Sequence, residues 1–469
     1  MNLRPGFGVL SLLAFAISTL PASAAELALS HATMAHLTAL KPGEATSLDA
    51  FPSGANSAAS IRFERVQIYA ADAHIYVMTA TGKQEVPRST RVFLRGYAND
   101  GSARVAMSLN PDGSFVEGNG TGPEGSFVLQ ASVDASGASK FAAKPLESTL
   151  PAGFQFNFRC GNENQNLDMR SLDMHSGEDL ADQLHAATSS VGVAAASSPS
   201  AFRFATIGID TDSLFMSRLF SNNTTSAVNW IAGMFNTMNT MYEGDLQVHL
   251  LVGTTILRTS AANDPYTGAS DSPSDTHDLD IFGNYWMTNE GSVQRSFAIL
   301  LSGQIASTSN SCSAAGIAWV DEYCQDGQTS GADTVGSYSV EQVCTSINID
   351  PNGSFDARIV GHEIGHNFGL FHTHCTNATT GAAKTATNTI DQCYNVEGGC
   401  YSGATSCPAG GAGTIMSYCN FTSVSGCAAG TQNLLQFHPT QINQVLLPLI
   451  SSNTPSCLRT DEIFPNGFE

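Results

Sequence analysis

Apolar residues between 61 and 129 fall in short runs, with Ile61, Phe63, Val66, Ile68, Ile75, Tyr76 and Val77 leading the series. Turn pairs such as Thr81-Gly82, Asn99-Asp100-Gly101 and Pro111-Asp112-Gly113 break these runs. Turn chemistry between short apolar segments predicts a small β-sandwich or barrel-like unit. The pattern changes after a Ser- and Ala-rich stretch at 189–200, which reads as an exposed linker. Residues 203–209 (RFATIGI) predict a strand. Val228, Ile231, Phe235, Met238 and Tyr242 recur at helical spacing and predict a helix over 225–242. Strands are expected at 246–252, 297–301 and 316–320, with a helix at 279–287. A last helix starts at Pro439 and carries Ile442, Val445, Leu446 and Leu449.

Composition narrows the reading. The 469 residues are 42% hydrophobic, enough for sizeable cores, and exceed one ordinary domain. A formal net charge of -21 argues against a nucleic-acid backbone as partner. Arg4, an apolar run at 7–20 and the small residues Ala22-Ser23-Ala24 form a secretion signal, so a secreted, extracellular protein with no membrane span is expected. Of the 11 cysteines, Cys160 stands alone and the rest lie between Cys312 and Cys457, which implies up to five disulfides in an exported chain. The expected layout is a signal peptide over 1–25, a β-rich unit with linker over 26–200, an α/β (α+β) unit over 201–459 and a tail over 460–469.

The segment from His362 to His372 has the form HExxHxxGxxH. Residues four apart on an α-helix differ in direction by about 40°, so His362 and His366 face one side and can share one metal ion. Ser354 is a candidate N-cap, Asp356 sits in the first turn, and Ile359, Val360, Ile364 and Phe368 can bury the opposite face. Gly369 permits a left-handed turn that stops the helix and returns His372 to the same ion. Three neutral imidazoles leave one tetrahedral position open, the arrangement of a catalytic Zn2+. Glu363, beside the first ligand, can reach water held there.

Together with Gly413-Thr414-Ile415-Met416-Ser417-Tyr418-Cys419, this motif resembles the metzincin clan of zinc endopeptidases. The resemblance implies a mixed sheet, an active-site helix and a Met-turn with Met416 as its methionine, preceded by a propeptide. The cysteine content and the 316–320 segment look like the reprolysin (adamalysin) branch, in which Gly316, Ile317, Ala318 and Trp319 would be an edge strand along the substrate. Two departures mark this chain. Thr373 stands where that branch has Asp, and Tyr418 resembles the tyrosine of astacins and serralysins, an oxyanion stabiliser there. A Tyr418 that only buttresses the pocket wall is the alternative. Phe158-Arg159-Cys160-Gly161-Asn162 resembles a cysteine-switch segment, in which a propeptide thiolate fills the open zinc position, although Asn162 departs from the matrixin form. A buried free thiol or a disulfide would also account for Cys160.

The implied activity is that of a secreted zinc-dependent endopeptidase, made as a zymogen with its own propeptide as inhibitor and protein or peptide substrates as partners. A zinc-containing non-hydrolytic binding protein or adhesin is the rival. Asp271, Asp275, Asp278 and Asp280 could bind Ca2+, with a solvated loop as the alternative. His374 and Cys375 could swap into the metal site, although Cys375 is expected in a disulfide.

Overall fold

The computed structural model describes residues 25–135, 137–151, 154–164, 202–266, 276–304, 307–308, 311–330, 333–344, 354–408, 413–420, 434–452 and 456–460. The expected leader, the 189–200 linker, Asp271, Asp275 and the tail from 461 lie outside the described residues.

Among the described residues, eleven strands precede residue 165. They are β1 (Glu26–Leu29), β2 (Ala45–Pro52), β3 (Ala58–Val66), β4 (Ile75–Thr79), β5 (Gly82–Val86), β6 (Val92–Ala98), β7 (Arg104–Leu109), β8 (Phe115–Gly122), β9 (Gly125–Val133), β10 (Ser139–Pro145) and β11 (Gln155–Cys160). Eight of them form one antiparallel sheet in the order β1-β10-β9-β8-β7-β6-β3-β2. It curls around helix α1 (His31–Ala39), so that Met34 and Leu37 meet Phe51, Phe63 and Phe141 in a core of their own. The remaining three, β4, β5 and β11, do not belong to it.

Those three join a second sheet with β12 (Arg203–Thr211), β13 (Val248–Arg258), β14 (Phe297–Ser302), β15 (Ser307–Thr308), β16 (Ser311–Ala318) and β19 (Tyr338–Gln342). Between β16 and β19 in the chain, β17 (Gln328–Ser330) and β18 (Asp333–Val335) form a separate pair. The order β11-β16-β19-β14-β12-β13-β4-β5 puts the N-terminal half at both margins. β4 pairs in parallel with β13, and β11 pairs in parallel with β16, Cys160 opposite Gly316. The expectation of 61–129 as a self-contained β-unit is therefore corrected at Ile75, Tyr76 and Val77. Their pattern reads as any half-buried strand, and the partner, β13, lies far along the chain.

Helix α2 (Thr224–Leu246) lies between the two sheets. Asn223 caps it by accepting from the Ser226 N–H at 3.0 Å, and Gln247 ends it at φ 56°. Both faces are covered, which is why almost the whole helix is buried. Asn236 donates to the carbonyls of Leu94 and Met107 in the first sheet, and Asn239 exchanges two bonds with Leu250 in the second. Ile68, Ile75, Val77 and Phe93 pack in the same core as Ile207, Phe235 and Phe297. Helix α3 (Thr276–Asn289) includes the expected 279–287 segment, and helix α4 (Ser354–Asn367) carries the histidine motif. The closing helix runs over 439–452, with a π-turn at Ile442–Leu446.

Four disulfides are described: Cys312–Cys344, Cys324–Cys457, Cys375–Cys400 and Cys393–Cys419. Cys407 is also disulfide-bonded, and Cys160 is free and buried. These bonds fit an extracellular protein. Among the described residues no helix is long and apolar enough to cross a membrane.

One ion pair spans the halves out of reach of water. Arg95 Nη1 lies 2.7 Å from Glu243 Oε1, with side-chain exposures of 0% and 8%. Burial works to raise the Glu243 carboxyl, but Arg95 and His249 hold it below its ordinary value. Arg95→Ala strands a buried carboxylate and is expected to cost about 3–5 kcal/mol in urea denaturation of the full chain. A loss near zero would show that water reaches the pair.

Candidate metal centre

Helix α4 is anchored at its start, where Asp356 accepts from the Cys344 N–H at 2.9 Å. Ile359, Val360, Ile364 and Phe368 are all fully buried, as the helical spacing requires. The helix stops at Gly369, whose φ of +91° is left-handed, and a Cβ there would meet Asp321 Oδ1 at 3.0 Å. The Leu370 N–H then bonds back to the Gly365 carbonyl, and His372 returns beside the helix. Met416 is fully buried, with its sulfur so close under Gly365 that a Cβ there would lie 2.8 Å away. The Thr373 N–H donates to the Met416 carbonyl, which ties the third histidine to the 413–419 segment.

The three imidazoles converge. Ring centroids of His362, His366 and His372 lie 4.7–5.2 Å apart. Each Nδ1 faces an acceptor: the Ile415 carbonyl at 2.8 Å, the Leu370 carbonyl at 2.6 Å and Glu397 Oε2 at 2.7 Å, respectively. A carbonyl can only accept, so Nδ1 of His362 and His366 must carry the proton and Nε2 the lone pair. Burial would raise the Glu397 carboxyl, but His372 and His374 hold it well below the carboxylate range, so it too accepts.

This arrangement fits a cation. His362 Nε2 and His366 Nε2 lie 3.1 Å apart, and His372 Nε2 is buried with no hydrogen-bond partner among the described residues. Lone pairs so placed repel one another unless a positive centre lies between them. Burial and the neighbouring histidines hold His362 well below its ordinary pKa, and His366 is lowered to about 3, so both stay neutral as a ligand must.

A fourth donor completes the set. Cys160 Sγ, at the end of β11, lies 3.4 Å from His366 Nε2, and the four donor atoms are all within 4.8 Å of one another. Zinc bonds of about 2.0–2.3 Å put tetrahedral ligand atoms roughly 3.3–3.7 Å apart, close to these separations. Glu363 is fully buried, with Oε2 3.9 Å from Cys160 Sγ and Oε1 without a partner among the described residues. Its carboxylate lies over the bare backbone of Gly316, where a Cβ would come within 2.2 Å. Burial, and behind it the Glu341 carboxylate, push the Glu363 carboxyl well above the carboxylate range.

Gly316, Ile317 and Ala318 end β16, and Trp319 lies just beyond it. This strand is not a free edge here, because β11 covers it. Asn162 continues the cover, its side chain donating to the Ala318 carbonyl at 2.9 Å and accepting from its N–H at 3.2 Å. Tyr418 packs edge-on to His372, and its hydroxyl accepts from the Cys160 N–H at 3.1 Å and meets Glu163.

The sequence pattern did not single out Glu397, Tyr394 or Glu163. Glu397 also accepts from His374 Nε2 at 2.8 Å, which places His374 behind His372 and apart from the group of Cys160, His362, His366 and His372. Asp391 Oδ2 accepts from Thr373 and Ser417, so a carboxylate from another part of the chain sits beside Thr373. A His-x-His pair followed by an acidic residue inside the Cys375–Cys400 loop was the available signal. Cys375 is disulfide-bonded as expected. In the acidic cluster, Asp278 and Asp280 lie on α3 and not in a loop, and Asp280 accepts from the Thr334 N–H at 2.7 Å.

Residues 201–427 match the family model Reprolysin_5, metallo-peptidase family M12. No curated protein matches the chain. The family implies zinc, which the donor set fits. Glu397→Gln, which takes the charge from behind His372, is expected to weaken zinc binding by about 10–100-fold in chelator competition. Unchanged affinity would reduce Glu397 to packing.

Proposed function

Residues 201–427 belong to the reprolysin-like, metzincin-clan metallopeptidases of family M12, and from that premise we propose that the protein is a secreted zinc endopeptidase kept latent by its own N-terminal half. The observation that carries this reading is the convergence of three Nε2 lone pairs beside a buried, partly unpaired Glu363.

His362, His366 and His372 hold the metal, and Gly369 and Met416 set the bend and the floor that keep the rings in place. Zinc, when bound, would supply Lewis acidity, lowering the pKa of water towards about 7 and polarising a carbonyl. Glu363 is the general base. Its carboxylate would take a proton from the water that zinc holds and pass it to the departing amine. Cys160 excludes water while β11 is in place, because its sulfur occupies the position Glu363 faces. A substrate strand that replaces β11 gains the backbone partners of β16 from Gly316 to Ala318 and lies beside Trp319. Tyr418 packs edge-on to His372 as part of the pocket wall, and its hydroxyl meets Glu163 and the Cys160 N–H while β11 is in place.

A non-hydrolytic zinc protein is the second reading, and one observation favours it: four protein donors would make a closed site if β11 never left. Glu363 has no task in that case. Two variants decide the matter. Glu363→Ala is expected to keep its zinc by elemental analysis and to lose casein hydrolysis by on the order of 10²–10⁴-fold; a variant that still cleaves would remove Glu363 from the mechanism. Cys160→Ala in the uncut full chain is expected to cleave casein where uncut wild type does not. Should the alanine chain and proteolysed wild type both stay inert with zinc bound, the non-hydrolytic reading takes over.

A further inference from the structure

The Cys393–Cys419 disulfide sets two tyrosines side by side, because Tyr394 follows one cysteine and Tyr418 precedes the other. Their rings stack at a centroid distance of 4.6 Å and an interplanar angle of 14°. Both hydroxyls meet one side chain, that of Glu163: Tyr394 donates to Oε2 and Tyr418 to Oε1. Glu163 sits in the 3-10 turn Gly161–Asn164, directly after β11, and is half-buried.

The end of β11 and this turn occupy the catalytic half at three points. Cys160 faces the histidines, Asn162 pairs with the Ala318 backbone, and Glu163 fills the tyrosine pair. The receiving groups for the last two, Ala318, Tyr394 and Tyr418, all belong to the C-terminal half and stay behind if 155–164 departs. What remains are two phenolic O–H donors directed at one point and held there by a covalent link between their neighbours. Burial, and then the bond to Glu163, raise Tyr394 above its ordinary value, so it keeps its proton and remains a donor. Two donors that converge from stacked rings suit an acceptor with two oxygens. A carboxamide offers one oxygen, and its NH2 needs an acceptor there instead. Burial holds the Glu163 carboxyl above its ordinary value, while the bond from Tyr394 works to lower it.

Resting on the endopeptidase reading, we propose that Tyr394 and Tyr418 form a carboxylate subsite, filled by Glu163 in the latent chain and by an Asp or Glu side chain of the substrate, near the scissile bond, in the active one. The protein would then favour acidic sequences despite its own negative charge, and Glu163 would be a stand-in for the substrate acid. Tyr394 and Tyr418 act on specificity here and not on the chemical step.

Fluorogenic peptides differing only by Glu against Gln, scanned over the three positions on each side of the cleaved bond, test this on the full-length chain activated by limited proteolysis. At one position kcat/KM for Glu is expected to exceed that for Gln by on the order of tenfold, since charge-assisted bonds are about twice as strong as neutral ones. In Tyr394→Phe, which keeps the stacked ring and loses the hydroxyl, that ratio is expected to fall towards one. A peptide of residues 155–164 gives a second measure: its Glu163→Gln form should inhibit wild type more weakly, with the difference lost in Tyr394→Phe. Cleavage without any preference for Glu, or a preference that survives in Tyr394→Phe, overturns the subsite and leaves the endopeptidase standing. No cleavage of any peptide by either the proteolysed chain or Cys160→Ala, with zinc bound, overturns both.

Discussion

Three nitrogen lone pairs pointed at one spot in a dry interior are the constraint on which the rest of the structure depends. Imidazoles would ordinarily turn away from such a meeting. Here they cannot, because the Ile415 and Leu370 carbonyls and the Glu397 carboxylate each take the opposite ring nitrogen. Those acceptors come from three parts of the chain: the segment before Met416, the bend after Gly369 and the Cys375–Cys400 loop. The site is thus a property of the assembled fold and not of helix α4 alone. Stiff rings and fixed tautomers mean that little reorganisation accompanies capture of an ion, which favours affinity.

What could be read from the sequence was what repeats at a fixed spacing. The apolar face of α4, the direction shared by His362 and His366, and the glycine at the helix end follow from helical geometry, and the structure shows each. Helix α2 was legible for the same reason. Groups that meet only after the chain has folded were not. Glu397 is one acid among many until the fold sets it behind His372. Asn162 looked like a departure from a familiar pattern, yet its side chain is what pairs with the Ala318 backbone. The strand pattern at Ile75 to Val77 gave the element correctly and its sheet wrongly, because alternation encodes a half-buried strand and says nothing of which strand lies beside it.

Disulfides do local work here as well as constraining the unfolded chain. Cys375–Cys400 closes the loop that carries Glu397 to His372 and His374, and Cys393–Cys419 sets Tyr394 against Tyr418. Cys312–Cys344 joins β16 to the stretch that enters α4 and packs in one cluster with Phe158 and Cys160. Cys160 is free, and the other cysteines of that cluster, Cys312, Cys344, Cys393 and Cys419, are already paired.

The placement of β4 and β11 at opposite margins of one sheet has a consequence for how the two halves can part. A cut anywhere in 165–201 severs the backbone but breaks none of the ladder bonds of β4 to β13 or β11 to β16, and leaves the shared core around α2 intact. Nicking and uncovering are then separate events with separate barriers, and the nicked molecule can persist as a closed two-chain particle. β11 alone, a six-residue strand at one rim, can peel away while β4 and β5 stay embedded at the other. Opening of the metal site would then resemble the lifting of a hasp more than the shedding of a domain.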